Sequence, residues 1–293
     1  MIEYPRVFTA MITPLKEDES VDFNGAQKLA LHLISKGSKG LVISGTTGES
    51  PTLTKQEKLD LFSAVKEAVG SKGYVIAGTG SNSTADSVRL TEEASKLGID
   101  GVMAVTPYYN KPNQEGLYQH FRAIAKATSL PLVLYNVPGR TAVNMLPETV
   151  AKLAEIQNVI ALKEACGNTD QVTEIKTLVS EDFLIYSGDD CMTLPMLAVG
   201  SYGVISVAGH VAAEMISQMV TAYVEGQVKE AYRINKALYP LFKAMFVTTN
   251  PIPVKKAVSL LGLPAGKPRL PMVEATPEET TCIKRVMLDL GLL

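Results

Sequence analysis

Eight short, β-rich apolar runs recur at helix-sized intervals, and no other feature of the chain narrows its fold as much. They are Val7 to Ile12, Leu41 to Ser44, Tyr74 to Ala77, Gly101 to Val105, Leu132 to Tyr135, Val159 to Leu162, Phe183 to Ser187 and Gly203 to Val207. Their starts lie 20 to 34 residues apart, and most gaps contain apolar residues at helical spacing. In the gap after the second run, Thr54-Lys55-Gln56-Glu57 has capping-box spacing; Leu59, Phe62, Val65, Ala68 and Val69 then form one stripe, closed by Gly70 and Gly73. Parallel strands covered on both faces either close into a barrel or remain an open doubly wound sheet, and periodicity does not choose between them. The count of eight favours closure. From about residue 211 the alternation gives way to helices over Val211 to Val224, Val228 to Val247 and Thr276 to Leu290, punctuated by Pro251, Pro253, Pro264, Pro268 and Pro271. The expected fold is therefore α/β, a (β/α)8 TIM barrel over residues 1–225 with a C-terminal helical domain over 226–293. No Gly/Ser-rich linker separates the two.

Composition narrows the partners. Hydrophobic residues make up 46% of the 293, charged residues 20%, and mean hydropathy is +0.12, the profile of a globular chain. The 28 Lys+Arg against 30 Asp+Glu leave no basic footprint for nucleic acid or anionic lipid, so a small molecule is the default partner. No uninterrupted apolar run reaches the ~18 residues of a membrane span, and Met1-Ile2-Glu3-Tyr4-Pro5-Arg6 lacks a basic segment leading into an apolar one. Cys166, Cys191 and Cys282 are odd in number and fit neither a disulfide framework nor a C-x-x-C knuckle. A cytoplasmic protein with reduced thiols is the expectation. His32, His120 and His210 stand in no metal-ligand spacing, so structural roles are expected for them and no metal site.

In a (β/α)8 barrel the chemistry sits at the C-terminal strand ends. Lys163 closes Val159-Ile160-Ala161-Leu162, among apolar layers where desolvation disfavours a charged amine. A neutral amine attacks a carbonyl, and the Schiff base then acts as an electron sink. For a lone lysine the commoner reading is snorkelling to solvent at a strand end; its neighbours shift the balance. Tyr135 offers a hydroxyl for proton transfer, or is an ordinary core aromatic. Gly45-Thr46-Thr47-Gly48 offers hydroxyls and backbone N–H groups for a carboxylate, or is a plain turn. It lacks the lysine of a phosphate-binding loop, and Gly78-Thr79-Gly80 matches too little of a dinucleotide fingerprint. Arg140 could pair with an anionic substrate or simply solvate a Pro-Gly turn, and Tyr108 and Tyr109 could be loop packing.

Taken in order, Gly45-Thr46-Thr47-Gly48-Glu49-Ser50, Val105-Thr106-Pro107-Tyr108-Tyr109-Asn110, Glu115-Gly116-Leu117-Tyr118-Gln119-His120-Phe121, Tyr135-Asn136-Val137-Pro138-Gly139-Arg140-Thr141 and Leu162-Lys163-Glu164 resemble the dihydrodipicolinate synthase family over nearly the whole chain. The resemblance implies a class I aldolase barrel that condenses pyruvate with L-aspartate 4-semialdehyde, the first committed step of lysine and diaminopimelate synthesis. It implies no external cofactor, the pyruvate being bound covalently to Lys163. Tyr135, Thr46 and Tyr109 match the proton relay, with Tyr109 expected from a neighbouring subunit. Thr47 matches the position holding the pyruvate carboxylate, Arg140 the one binding the semialdehyde carboxylate, and Gly188 and Ile205 the pocket lining. A homodimer follows, with a homotetramer built from two dimers as the usual family arrangement. Other pyruvate aldolases, such as N-acetylneuraminate lyase or 2-keto-3-deoxy sugar acid aldolases, share lysine, tyrosine and barrel. The second threonine of Gly45-Thr46-Thr47-Gly48 and Arg140 favour the synthase. A noncatalytic binding barrel is the reading from another class, and retention of Lys163, Tyr135 and Thr46 together argues against it.

One departure from the family pattern bears on regulation. Members inhibited by lysine bind it through positions matching Ser50, Pro51, Lys55, Lys58, Asn82, Asp86 and Tyr108. Lys55 and Lys58 stand where some sensitive members carry histidines, and their charges would repel a cationic effector, although they also read as solvating a helix. Weak or absent lysine inhibition is the expectation.

Overall fold

The structure, a computed structural model, describes residues 4–293. Residues 1–3 of the opening hexapeptide considered above for a leader lie outside the described residues.

Strands and helices alternate as expected: β1 (Val7–Ala10), α1 (Phe23–Ser35), β2 (Gly40–Ile43), α2 (Lys55–Val69), β3 (Tyr74–Gly78), α3 (Thr84–Ala94), β4 (Gly101–Val105), α4 (Gln114–Lys126), β5 (Leu132–Asn136), α5 (Pro138–Thr141), α6 (Pro147–Ala154), β6 (Val159–Glu164), α7 (Thr169–Leu178), β7 (Leu184–Ser187), α8 (Thr193–Ala198) and β8 (Gly203–Ser206). Four helices follow, α9 (Gly209–Val224), α10 (Val228–Ala244), α11 (Ile252–Leu260) and α12 (Pro277–Asp289). The eight strands form one closed barrel in sequence order, so the chain is a (β/α)8 barrel with C-terminal helices. By its internal contacts the chain divides into two compact units, one made of the chain up to Val75 with Ser206–Leu293, the other of Ile76–Ile205.

In the first unit β1 and β2 pair in parallel through Phe8↔Gly40, Thr9↔Leu41 and Ala10↔Val42. A side chain at residue 40 would place its Cβ 2.3 Å from the Phe8 ring, which explains the glycine opening β2. α1 starts where the Asp22 carboxylate accepts from Gly25 N at 2.9 Å, and it buries Ala26, Leu29, Ala30 and Leu33. α2 begins with the expected capping box between Thr54 and Glu57 and ends at Gly70, whose φ of 56° only glycine adopts readily. Its buried stripe is Leu61, Phe62, Val65 and Val69, whereas Leu59 and Ala68 are half-buried. The face is turned slightly from the predicted one because Leu59 and Leu61 compete within one turn. In the tail, α9 packs on β1 and α10, and α12 on α10 and α11. Pro251 and Pro253, punctuation by sequence alone, start α11, where a missing N–H and fixed φ suit the first helical turn.

The second unit carries the parallel ladder from β3 onward. β4 meets β5 through Val102↔Leu132 to Val105↔Tyr135, and β5 meets β6 with Tyr135↔Lys163 and Asn136↔Glu164 in register. Side chains cap three of its helices: Ser83 for α3, Asn113 for α4 and Asn168 for α7. Phe121, Leu134 and Leu162 are fully buried, and truncating Phe121 to alanine is expected to destabilise by ~3–5 kcal/mol.

No helix among the described residues is long and apolar enough to cross a membrane. Cys166, Cys191 and Cys282 are half-buried thiols.

Candidate active site

Successive strand residues face opposite ways, so the register of β5 with β6 sorts four polar side chains into two pairs. Tyr135 and Lys163 lie on one face, Asn136 and Glu164 on the other. The Lys163 side chain is buried, 4% exposed, with Nζ 4.3 Å from the centroid of the Tyr135 ring. Among the described residues no carboxylate pairs with it. Gly188, at the end of β7, leaves room beside it: a Cβ there would stand 3.2 Å from Lys163 Cε and 2.8 Å from Ala165 Cβ. The structure thus brings Lys163, Tyr135 and Gly188 together.

On the opposite face Glu164 is held by donors. Asn136 Nδ2 donates to its carboxylate at 3.0 and 3.1 Å, Cys166 N at 2.8 Å and Gln171 Nε2 at 3.1 Å. Burial still raises its pKa above the usual carboxylate value, against the lowering effect of those hydrogen bonds. Asn136 also donates to Asn144 Oδ1 at 2.8 Å and accepts from Met145 N at 3.0 Å, tying the ends of β5 and β6 to the segment entering α6. Burial and the neighbouring Glu164 push the Cys166 thiol up to about 12, which removes it as a nucleophile.

Tyr109 is 89% exposed and left-handed, φ 74°, on the loop after β4, while Tyr108 beside it is half-buried. Arg140 is exposed on the single turn of α5, and Ile205 is fully buried on β8.

In the first unit β2 runs into Ser44-Gly45-Thr46-Thr47-Gly48-Glu49, with both Ser44 and Glu49 left-handed, φ 54° and 58°. Non-glycine residues in that region are strained and persist only where surroundings hold them. Here the surroundings are specific. Thr13 Oγ1 donates to Gly48 O at 2.7 Å, and Asn250 Nδ2 donates to Thr47 Oγ1 at 3.0 Å. Lys255 Nζ donates to Glu49 Oε1 at 2.6 Å and to Lys267 O at 3.1 Å, while Arg269 N donates to Glu49 Oε2 at 2.8 Å. The Arg269 guanidinium in turn reaches Glu57 Oε1 at 2.5 Å, Thr52 O at 2.7 Å and Glu19 O at 2.7 Å. Thr47 is buried at 3% exposure and Thr46 half-buried. Sequence reasoning missed Asn250, Lys255 and Arg269. They lie about 200 residues from the loop they hold, and no local pattern announces such a partner.

The proposed effector positions fall into two groups. Ser50, Pro51, Lys55 and Lys58 lie on the stretch into α2; Lys58 is half-buried, and burial lowers its pKa. Asn82, Asp86 and Tyr108 lie around the start of α3 and the loop after β4. Asn82 O accepts from Asn110 Nδ2 at 2.8 Å, and Asp86 is paired with Arg89. Among the described residues no group of three or more His, Cys, Asp or Glu is placed to hold a metal ion.

Fold and strand ends together define a class: (β/α)8 barrels that present a buried amine, flanked by a tyrosine, at the C-terminal end of a strand. Within that class, the model of the dihydrodipicolinate synthetase family (DHDPS) matches residues 3–289, and the chain belongs to this family. The 4-hydroxy-tetrahydrodipicolinate synthase of Moorella thermoacetica is 55% identical over 292 residues, covering 100% of both chains. That of Desulforamulus reducens is 54% identical over 293 residues, covering 100% of this chain and 99% of its own. The crystal structure of DHDPS from Cyanidioschyzon merolae with lysine bound matches with a TM-score of 0.97 at 48% identity, covering 99% of each chain.

Proposed function

We propose that the chain is a lyase that condenses pyruvate with L-aspartate 4-semialdehyde, the reaction of a 4-hydroxy-tetrahydrodipicolinate synthase. The observation that carries this reading is Lys163, buried without a carboxylate partner among the described residues and 4.3 Å from the Tyr135 ring centroid, in a chain whose full-length relatives bear that name. Lys163 Nζ attacks C2 of pyruvate; the carbinolamine loses water, and the resulting iminium withdraws electrons so that the methyl group gives up a proton. The enamine carbon then attacks the aldehyde carbon of the second substrate, and attack of an amine or water on the regenerated imine carbon breaks the bond to Lys163 and frees the enzyme. Each step moves a proton, the part assigned to Tyr135, Thr46 and Tyr109. Thr47 holds the pyruvate carboxylate, Arg140 the carboxylate of the semialdehyde, and Gly188 and Ile205 line the pocket. No external cofactor enters this scheme, because the Schiff base is itself the electron sink.

The exposure of Tyr109, 89%, supports its assignment to the site of a neighbouring copy and hence a homodimer as the working unit, with a homotetramer as a pair of such dimers. We place the enzyme in the cytoplasm, with small molecules rather than nucleic acid or membrane as partners. Lysine inhibition is expected to be weak or absent, since Lys55 and Lys58 bring positive charge to the effector positions; inhibition at sub-millimolar lysine in an activity titration would overturn this.

Borohydride trapping with pyruvate, followed by peptide mapping, tests the reading. A reduced pyruvyl adduct confined to Lys163 is expected, together with turnover of L-aspartate 4-semialdehyde and none of sialic acid or keto-deoxy sugar acids. Folded protein that forms no adduct, beside a labelled Schiff-base aldolase, overturns it.

A further inference from the structure

The hydroxyl of a threonine has one proton to give and two lone pairs to receive with. At Thr47 one lone pair is taken, by Asn250 Nδ2 at 3.0 Å, and among the described residues no acceptor takes its proton. Thr47 and Asn250 are 3% and 4% exposed, so bulk water does not compete freely for either. An amide donor on the oxygen therefore leaves the Thr47 O–H free to donate, the polarity an anionic carboxylate requires. The opposite polarity, a carbonyl or carboxylate at residue 250 facing Thr47, would draw that proton away from the ligand.

Asn250 is itself firmly placed. It immediately precedes Pro251, the N-cap of α11, whose Ile252, Val254, Ala257 and Val258 are buried. Within the same helix Lys255 is bonded to Glu49 at 2.6 Å. The start of α11 thus grips the loop after β2 at two points, Asn250 on Thr47 and Lys255 on Glu49, and the second contact fixes the helix independently of the first.

We infer that Asn250 is a positioning residue for substrate recognition: its side-chain amide orients the Thr47 hydroxyl as a donor to the carboxylate of the 2-oxo acid. This rests on the assignment of Thr47 to the pyruvate carboxylate. The test is borohydride trapping on Lys163 as a function of pyruvate concentration, in the full-length enzyme and in Asn250→Asp, Asn250→Ala and Thr47→Val, singly and combined. Asn250→Asp is expected to raise the half-saturating pyruvate concentration on the order of 10-fold, the range for a lost hydrogen bond to a charged group. The rate of adduct formation at saturating pyruvate should stay within about twofold, since the amine and its relay are untouched. In the Thr47→Val background the same substitution should add little, because the hydroxyl through which it acts is gone. An unchanged half-saturation, a parallel loss at saturation, or a full-sized effect in the Thr47→Val background each overturns the inference; the last would mean that residue 250 acts directly by charge or on structure. Should Asn250→Asp fail to fold, Asn250→Ala is read by the same three criteria with a smaller expected shift. A native enzyme that forms no adduct removes the Thr47 assignment and this inference with it, and is recognised before any variant is compared.

Discussion

Lys163 and Lys255 are both almost fully buried, 4% and 2% exposed, but their surroundings differ completely. Lys255 has a carboxylate at 2.6 Å and a carbonyl at 3.1 Å, and its partner Glu49 takes a further hydrogen bond from Arg269 N. Lys163 has an aromatic ring and, among the described residues, no carboxylate. A buried charge that serves structure is paired; a buried amine left without an anion is a group kept for a ligand. Both side chains are buried, and the head group's partner is what separates their roles.

Exchanging each lysine for methionine, which keeps the stem and removes the charge, should separate the two most sharply. Lys163→Met is expected to abolish the borohydride adduct and lower turnover at least ~1,000-fold, as for loss of any covalent nucleophile, while unfolding in denaturant shows no loss of stability. A Lys163→Met variant that turned over within tenfold of the parent would break the comparison outright.

Lys255→Met should do the reverse. It strands Glu49 in the interior without its cation, and breaking a buried pair from one side costs about 3–5 kcal/mol. The urea midpoint is the readout, and adding Glu49→Gln should restore a large part of the loss, because the uncompensated charge goes with it. If Lys255→Met alone were as stable as the parent, the pair would be contributing no more than a well-packed apolar contact.

These contrasts were only half legible in the sequence. The strands were, because each is a compact apolar run: Gly101–Val105 falls where expected, and the other seven differ at their ends by one or two residues. The capping box of α2 was legible too, since Thr54 and Glu57 act over a single turn. Lys163 and Tyr135 stood out because each closes an apolar run, although their pairing depends on a strand register that no local pattern encodes. α11 was hidden behind its own prolines, which break a helix interior but suit its first turn. The grip of Asn250, Lys255 and Arg269 on the loop after β2 was not legible at all. Nor was the strain: Glu19, Ser44, Glu49, Tyr109, Lys111 and Ala142 are left-handed, in segments following β1, β2, β4 or β5, and their residue types give no warning of it. Such strain gathers where tertiary contacts impose it, often at functional sites.

The smallest effect expected is in the pH dependence of the Arg269–Glu57 contact. Arg269 also holds the Glu57 carboxylate, whose pKa is lowered from 4.5 to about 2, chiefly by the hydrogen bond from the guanidinium. A lowered folded pKa means that the unfolded chain binds the proton first, so this contribution is fully present above about pH 4.5 and is lost as pH falls towards 2. His210 acts in a higher window. Its Nε2 accepts from Ile12 N at 3.0 Å and its Nδ1 lies 2.8 Å from Val207 O, and burial lowers its pKa from 6.5 to about 4. His120 is lowered to about 4 by burial as well. The histidine contribution is therefore complete above about pH 6.5 and declines as pH falls to 4, by up to ~1.4 kcal/mol per pH unit for each group. In Arg269→Gln the urea midpoint should follow that of the parent in parallel between pH 6.5 and 4.5 and then fall less steeply below 4.5, because of the contacts removed, those to Glu57, Thr52 O and Glu19 O, only the one to Glu57 titrates. Equal slopes in both windows would show that the Arg269–Glu57 contact is screened by solvent into insignificance and adds nothing to the anchoring of the loop by Lys255 and Asn250.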